Sequence, residues 1–174
     1  MFTCDHSGPQ PCTLDILVYN VGRNSVGINQ STSCKGLNRN PLLDQQDLKG
    51  WQMYSLPMDD PAKLLPPHTT AADPAPSAPA IYSGSSNLTG TGETYLDMRN
   101  WNFGVVWVNG HNLGRYWDVG ADRGLYLPSV WQNKGDNQIT ILELAGPPKS
   151  MEIQAATNMI VEPYKPFTPY PHKQ

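Results

Sequence analysis

The sequence predicts an all-β protein built around a jelly-roll β-sandwich, and three observations favour this class. The chain has 174 residues with 17 prolines and 15 glycines but only 16% charged residues, a balance typical of turn-rich β proteins. Short runs of β-branched and aromatic residues recur from Ala80 onward, separated by turn residues, which is the spacing of a sandwich. Asn109-Gly110 provides the third observation, because both residues adopt positive φ at low cost, as a type I′ hairpin turn requires.

Residues 1–58 offer only two candidate strands. Aliphatic residues alternate from Thr13 to Val21 with the period of a half-buried strand, and Trp51–Leu56 is the second candidate. Residues 22–49 are rich in Asn, Ser, Gly and Gln and are predicted to be loop. Because two strands alone are marginal in water, we interpret this part as the remnant of a preceding β-domain.

Residues 59–79 are predicted to be a linker. Seven prolines lie between positions 57 and 79, with Ala, Asp and Thr among them. Proline removes a backbone donor and stiffens the chain, so a semi-extended segment without regular structure is expected.

Residues 80–162 form the predicted jelly roll. Pro128 suits the first position of a helical turn and Gly135 its left-handed end. A closing strand is expected at Met151–Ile153 and Asn158–Val161, and residues 163–174 are expected to be a tail. Six further strands are predicted: Ile81–Ser83, Thr94–Met98, Val105–Val108, Asn112–Tyr116, Leu125–Leu127 and Gln138–Leu144.

Charge and composition exclude several classes of partner. The formal net charge of −3, with scattered Lys and Arg, gives no reason to expect nucleic acid. No apolar run approaches the ~18 residues that cross a membrane. The N-terminus lacks the basic start and apolar stretch of a signal peptide, so the sequence leaves localisation open.

Cysteines and histidines predict no metal or cofactor. Cys4, Cys12 and Cys34 show no zinc-ligand spacing. Two interpretations of the cysteines are possible. Either Cys4 and Cys12 form a disulfide in an oxidising compartment, or all three cysteines are separated from their native partners. The four histidines lie far apart in the chain: His6, His68, His111 and His172.

A series of motifs resembles the C-terminal β-domains of glycoside hydrolase family 35, the β-galactosidases. Leu14–Val18, Lys35-Gly36-Leu37 and Gly50-Trp51 resemble the preceding β-domain and the segment that joins it to the sandwich. The motifs of the sandwich are Leu96-Asp97-Met98 with Trp101, Gly104–Gly110, Asn112–Trp117, Leu125–Pro128, and Gly135, Asn137 and Ile139–Leu144.

The resemblance implies a galactose-binding-like jelly roll preceded by a partial β-domain and a Pro-rich linker. It also implies that the parent protein hydrolyses terminal β-galactosyl residues with two glutamates of a catalytic barrel. Such a barrel needs roughly 250 residues, so none fits here and no catalytic residue is assigned. Glu143 is expected to be partly buried beside a structural partner such as an arginine. Members are often secreted, lysosomal or vacuolar, which would make Asn29 and Asn87 glycosylation sites.

Carbohydrate contact is the one activity that the residues leave open. Aromatic faces hold the C–H surfaces of sugars, and Asn, Arg or Trp N–H groups bind their hydroxyls. Packing is the alternative, because large aromatics fill small sandwich cores by default, and we expect packing to dominate. The candidate carbohydrate-binding residues are Trp107, Asn109, His111, Asn112, Arg115, Tyr116 and Trp117.

Three functions are therefore predicted for the chain. The first is the non-catalytic C-terminal portion of a β-galactosidase-like hydrolase, which supports the barrel and also contacts carbohydrate. The second is a free-standing carbohydrate-binding module. The third is an interaction domain that docks on a separate catalytic chain. The expected partners are galactosides or glycans and a catalytic barrel domain, without nucleic acid or membrane.

Overall fold

The chain divides into two units, Met1–Ser55 and Leu56–Gln174, in a computed structural model. The structure describes residues 2–3, 13–19, 22, 31–33, 35–64 and 79–163. All three cysteines, Asn29, and the histidines at positions 6, 68 and 172 lie outside the described residues, as do residues 65–78 and 164–174.

The first unit contains two small antiparallel pairs among its described residues. β1 (Phe2–Thr3) pairs with β2 (Thr13–Leu14), and β3 (Leu42–Leu43) pairs with β4 (Gln46–Asp47). Of the described residues in the predicted strand over Thr13–Val21, only Thr13 and Leu14 form a strand, and Trp51–Leu56 is not a strand. Within the described residues, 15–19 and 51–56 pair with no strand, so the first prediction was too long and the second was wrong.

The first unit has no buried residue among those that the structure describes. Its large apolar side chains are instead exposed, as Leu42 is at 62% and Leu17 at 52%. The others in this set are Ile16, Val18, Leu37, Leu43, Trp51, Met53 and Tyr54. The described part of this unit therefore has no hydrophobic core of its own.

The second unit is an antiparallel sandwich of a four-stranded and a three-stranded sheet. The first has the order β5-β10-β7-β8, and the second has the order β11-β6-β9. The strands are β5 (Ala80–Leu88), β6 (Thr94–Asp97), β7 (Phe103–Val108), β8 (His111–Trp117), β9 (Gly124–Leu127), β10 (Gly135–Glu143) and β11 (Ala155–Ala156). The six predicted strands from residue 81 to 144 are all present, with ends that differ by a few residues.

The core lies between these two sheets. Leu96 and Leu127 come from the three-stranded sheet, and Val106, Val108 and Ile141 come from the four-stranded sheet. Each of these side chains is at most 5% exposed. The inward positions alternate along β7, as the two-residue period of a strand requires, and the sandwich class is confirmed.

The turn between β7 and β8 is formed by the predicted residues. Asn109 has φ 50° and Gly110 has φ 82°, so both central residues carry the positive φ that a type I′ turn needs. The predicted helical turn is a single 3₁₀ turn at Ser129–Trp131. Pro128 caps it rather than occupying its first position, and Gly135, at φ 102°, begins β10 instead of ending the turn.

The closing strand was predicted in the right region but at the wrong residues. β11 occupies Ala155–Ala156, where the chain runs beside Tyr95 and Leu96 of β6. Met151–Ile153 is not a strand. Of Asn158–Val161 only Val161 pairs, in an isolated bridge with Asp122, because the chain has turned away from β6 by then.

Part of the predicted linker is ordered against the sandwich. Pro61–Lys63 form a 3₁₀ turn, and the Asp60 carboxylate accepts a hydrogen bond from the Ala62 amide at 3.0 Å. Pro61 is buried, and it begins the turn, where its missing amide costs nothing. The expectation of no regular structure was wrong for these three residues. No helix within the described ranges is long and apolar enough to span a membrane.

The turn geometry generates a stability prediction. Gly110→Val should destabilise the sandwich by about 1–2 kcal/mol, because a β-branched side chain is strained at positive φ. Gly84→Val is the matched control: a Cβ at either glycine meets no atom within 4 Å, and only Gly110 has positive φ. Thermal melts of both variants check this, and equal melting temperatures would show that turn conformation is not the cause.

Candidate functional site

The β7–β8 hairpin carries all seven residues predicted to contact carbohydrate. Val106 pairs with Gly114, but the next pair is Trp107 with Asn112, so the register shifts at this point. Leu113 is the extra residue of this bulge, and its side chain packs against the core. A bulge re-aims the neighbouring side chains, which places Trp107 and Asn112 together on one face.

Two of the seven residues are buried. Trp107 is fully buried on the sheet face opposite Val106 and Val108, and its Nε1–H donates to the carbonyl oxygen of Met58 at 2.9 Å. Tyr116 is 3% exposed and belongs to the core between the sheets. Neither ring offers a free face for a sugar.

The two asparagines hold backbone in place. The Asn109 amide donates to the Trp131 carbonyl and to Asn137 Oδ1, both at 2.8 Å, and its own oxygen accepts from the Gln138 amide. Asn112 donates to the Met58 carbonyl at 2.8 Å. Asn109 therefore ties the hairpin turn to the loop before β10, and Asn112 helps Trp107 to hold the segment at Met58.

The remaining three residues reach the surface. The His111 ring stacks on Trp131, with centroids 4.8 Å apart and planes 8° from parallel. The Arg115 guanidinium lies 5.5 Å above the Trp117 ring, which also contacts Phe103. The structure thus brings all seven residues onto one hairpin, but two are buried, two hold backbone segments in place and three reach the surface. Their role in carbohydrate contact stays a prediction.

Glu143 is the most constrained acid of the sandwich. Its side chain has no exposure, and its Oε2 accepts from the Asn102 amide at 2.9 Å and from the Tyr116 hydroxyl at 3.1 Å. Its Oε1 accepts from the amides of Phe103 and Ala145. Glu143 was expected to be partly buried beside a structural partner such as an arginine, but it is fully buried and its hydrogen-bond partners are backbone amides and the Tyr116 hydroxyl. Backbone amides at the start of β7 donate hydrogen bonds to the carboxylate instead. No sequence pattern indicates partners of this kind.

Gly104 allows the Glu143 network to close. A Cβ at this position would lie 1.8 Å from the Leu142 carbonyl oxygen and 2.6 Å from the Tyr116 hydroxyl. Glycine is therefore required here for close approach, so that Tyr116 can reach Glu143. Beside this network, burial and the nearby charge of Glu143 raise the pKa of Tyr82.

Arg123 is a buried cation that sequence reasoning missed. It is 4% exposed, and its guanidinium approaches the carbonyl oxygens of Arg99 at 3.2 Å and Trp117 at 3.4 Å. Its Nε lies 3.9 Å from a carboxylate oxygen of Glu162. It follows a Gly-Ala-Asp turn without any pattern that would predict its burial.

An open polar cleft lies beside Arg123, where sequence reasoning predicted no site. Its volume is about 370 Å³, and it lies between the turn after β6 and the segment that carries β11. Every lining residue is polar: Asp97, Arg99, Asn100, Lys149, Glu152, Gln154 and Glu162. Hydrogen bonds from Arg99 lower the pKa of Asp97, so this carboxylate is charged near neutral pH. The described residues contain no group of three or more side chains suited to hold a metal ion.

The signal for this cleft is weak in the sequence. Its two walls lie about fifty residues apart in the chain, and the motif Leu96-Asp97-Met98 in one of them was assigned to the sandwich and not to a site. The antiparallel pairing of β11 with β6 and the hydrogen bond from the Lys149 amide to the Asn100 carbonyl bring them together.

Comparison with known families identifies both units. The first all-β domain of β-galactosidase matches residues 2–57, and the galactose-binding domain of β-galactosidase matches residues 79–137. Both matches cover non-catalytic domains.

Several curated proteins are similar to the chain. Beta-galactosidase-1-like protein 2 of Homo sapiens is 38% identical over 139 residues, which is 77% of this chain and 22% of that protein. Beta-galactosidase-1-like protein of Mus musculus is 41% identical over 147 residues, covering 81% of this chain and 23% of that protein. Beta-galactosidase of Xanthomonas manihotis is 40% identical over 115 residues, covering 66% and 19% respectively. The chain thus spans about a fifth of the length of these relatives.

The Glu143 network generates the second prediction. Glu143→Gln replaces one acceptor oxygen with a donor that faces other donors, so we expect a loss of about 3 kcal/mol in the free energy of unfolding. Asp136→Asn is the control, since Asp136 is exposed and accepts only from Asn87. Denaturant melts compare the two variants. A Glu143→Gln protein as stable as the control would show that the network is dispensable.

Proposed function

The chain belongs to the β-galactosidases of glycoside hydrolase family 35, as their non-catalytic C-terminal β-domains, and on this ground we propose that it supports a catalytic barrel. The parent activity would be hydrolysis of terminal β-galactosyl residues, performed by a domain in the part of the relatives that this chain does not match. This chain would provide a docking surface and a rigid sandwich.

The observation that carries the proposal is the apolar surface of the first unit. Its described residues include nine large apolar side chains that are exposed and none that is buried. Large apolar surface left exposed is typical of a protein interaction site. Fully burying one side chain such as Leu42 is worth roughly 1.5–3 kcal/mol, so a partner surface would stabilise this unit substantially.

The hairpin contacts also favour support over a free-standing carbohydrate-binding module. The rings of Trp107 and Tyr116 are buried, and the polar atom of each makes a hydrogen bond within the second unit. Asn109 makes three hydrogen bonds within the sandwich. Aromatic faces are the usual platform for a sugar, and the largest ones here are occupied. Docking onto a separately encoded catalytic chain would use the same apolar surface.

A hydrolysis assay tests whether the chain is catalytic by itself. We expect the purified protein to release no chromophore from a nitrophenyl β-galactoside beyond a heat-inactivated control, because both matched domains are non-catalytic. Turnover that persists through purification to homogeneity would assign activity to this chain and overturn the expectation.

A chimaera tests the docking surface. The chain replaces its matching segment in the Xanthomonas manihotis β-galactosidase, and Leu42→Asp with Leu43→Asp is introduced there and in the isolated chain. If a barrel covers these residues, the pair should destabilise the chimaera by about 2–4 kcal/mol. In the isolated chain, where both residues are exposed, the effect should stay within about 0.5 kcal/mol.

Val130→Asp is the matched control for the chimaera. Val130 is an exposed aliphatic residue at 83%, and it belongs to the second unit. Thermal melts and β-galactoside turnover are measured for each protein. If the Leu42 and Leu43 pair has the same effect in both contexts, the surface is not covered and the docking proposal fails.

A further inference from the structure

The hydrogen-bond ladder of the four-stranded sheet fixes which backbone groups of its edge strand β5 face outward. β5 (Ala80–Leu88) pairs with β10 over nine residues without a register shift. On the other side of β10, the Leu144 amide donates to the Phe103 carbonyl at 2.8 Å, and the Asn109 amide donates to the Gln138 carbonyl at 2.9 Å. Because backbone groups alternate in direction along an antiparallel strand, the even-numbered residues of β10 direct theirs to β7.

This alternation leaves one row of backbone groups on β5 facing away from the sheet. The odd-numbered residues of β10 direct their amides and carbonyls to β5, where Ile139 lies opposite Gly84. The even-numbered residues of β5 complete that ladder, so the odd-numbered ones direct their backbone groups outward. None of these outward groups hydrogen-bonds to another residue that the structure describes. They belong to Ile81, Ser83, Ser85 and Asn87.

The other edges of the sandwich carry features that oppose pairing with another chain. β8 has a bulge at Leu113 and the charged residue Arg115. The edge strands of the second sheet, β9 and β11, are only four and two residues long. Bulges, charges and short length are the usual means by which proteins keep an edge strand from pairing. Over Ala80–Leu88 there is no proline, charged residue or bulge, so this edge is open to pairing.

The β5 edge is complementary to a second copy of itself. An antiparallel arrangement with a two-fold axis at Gly84 places Ser83 opposite Ser85 of the second copy and Ile81 opposite Asn87. Both members of each pair direct their backbone groups outward, so every outward amide meets a carbonyl of the other copy. Serine pairs directly opposite each other add hydrogen bonds, and an uncharged strand opposes no like charges across the axis.

We propose that this edge is a self-association site, at which two copies of the chain join their four-stranded sheets into one continuous antiparallel sheet. A single pair of strands buries less surface than the roughly 1,600 Å² of a standard interface. The dimer should therefore be weak, with a dissociation constant on the order of 100 µM. The proposal does not depend on the docking of the first unit onto a barrel.

Hydrogen exchange on the full chain tests the pairing at single residues. Between about 10 µM and about 1 mM chain, the amides of Ser83 and Ser85 should come to exchange about fourfold more slowly, because a dissociation constant of this order makes most chains dimeric at the higher concentration. The amides of Tyr82, Gly84 and Ser86 already face β10, so their exchange should not depend on concentration. Sedimentation equilibrium over the same range gives the mass of the assembly.

Charge variants test whether two copies of this edge meet. Ser83→Lys with Ser85→Lys opposes like charges across the axis, as does Ser83→Glu with Ser85→Glu, and each pair should weaken dimerisation about tenfold. An equimolar mixture of the two variants should associate again, because opposite charges then face each other. Thr89→Lys with Thr91→Lys is the matched control. It adds the same charge at the same spacing on exposed residues beyond the end of β5, and it should leave the dimer unchanged.

Several outcomes would overturn the proposal. One is a chain that stays monomeric up to about 1 mM. Another is protection of the odd-numbered amides that does not change with concentration, since a strand of the same chain would then occupy the edge. Dimerisation that Leu42→Asp with Leu43→Asp abolishes and the lysine variants leave intact would assign self-association to the first unit. Failure of the mixed charge variants to associate would exclude antiparallel self-pairing. Whether a barrel covers the first unit is decided separately by the chimaera.

Discussion

A carboxylate removed from water needs several donors to hold its charge, and Glu143 meets this requirement with three backbone amides and one tyrosine hydroxyl. The amides belong to the start of β7 and to the chain after β10, and the hydroxyl belongs to β8. One side chain therefore fixes three neighbouring segments of the four-stranded sheet. Gly104 makes the approach possible, since any side chain there would collide with Leu142 and Tyr116.

The hairpin motif that suggests sugar binding follows from the same constraint. Once Tyr116 is drawn inward to Glu143, alternation along β7 and β8 places Trp107 on the outer face. There Trp107 and Asn112 both donate to the Met58 carbonyl, which fixes the segment before Pro61 against the sheet. Aromatic and amide side chains are thus clustered because they join elements. The same residue types serve a sugar site, and a sequence does not distinguish the two uses.

Local sequence patterns were sufficient to predict the sandwich but not the partners of Glu143 or the polar cleft. Asn109-Gly110 specified the hairpin because its turn depends on two adjacent residues, and each strand of the core carries its own period. By contrast, Gln45 adopts positive φ beside Asp44 in the β3–β4 turn, although glutamine does not usually mark such a turn. The partners of Glu143 are backbone groups, and the cleft joins segments about fifty residues apart. Such features depend on tertiary pairing, which leaves no local pattern.

The two units present surfaces of opposite chemistry, one apolar and one polar. The first unit exposes aliphatic and aromatic side chains, whose burial is favourable only against another apolar surface. The cleft of the second unit is lined entirely by polar groups, which lose hydration unless a ligand replaces each hydrogen bond. An apolar face of a protein domain satisfies the first condition but not the second, so the docking proposed for the first unit does not extend to the cleft.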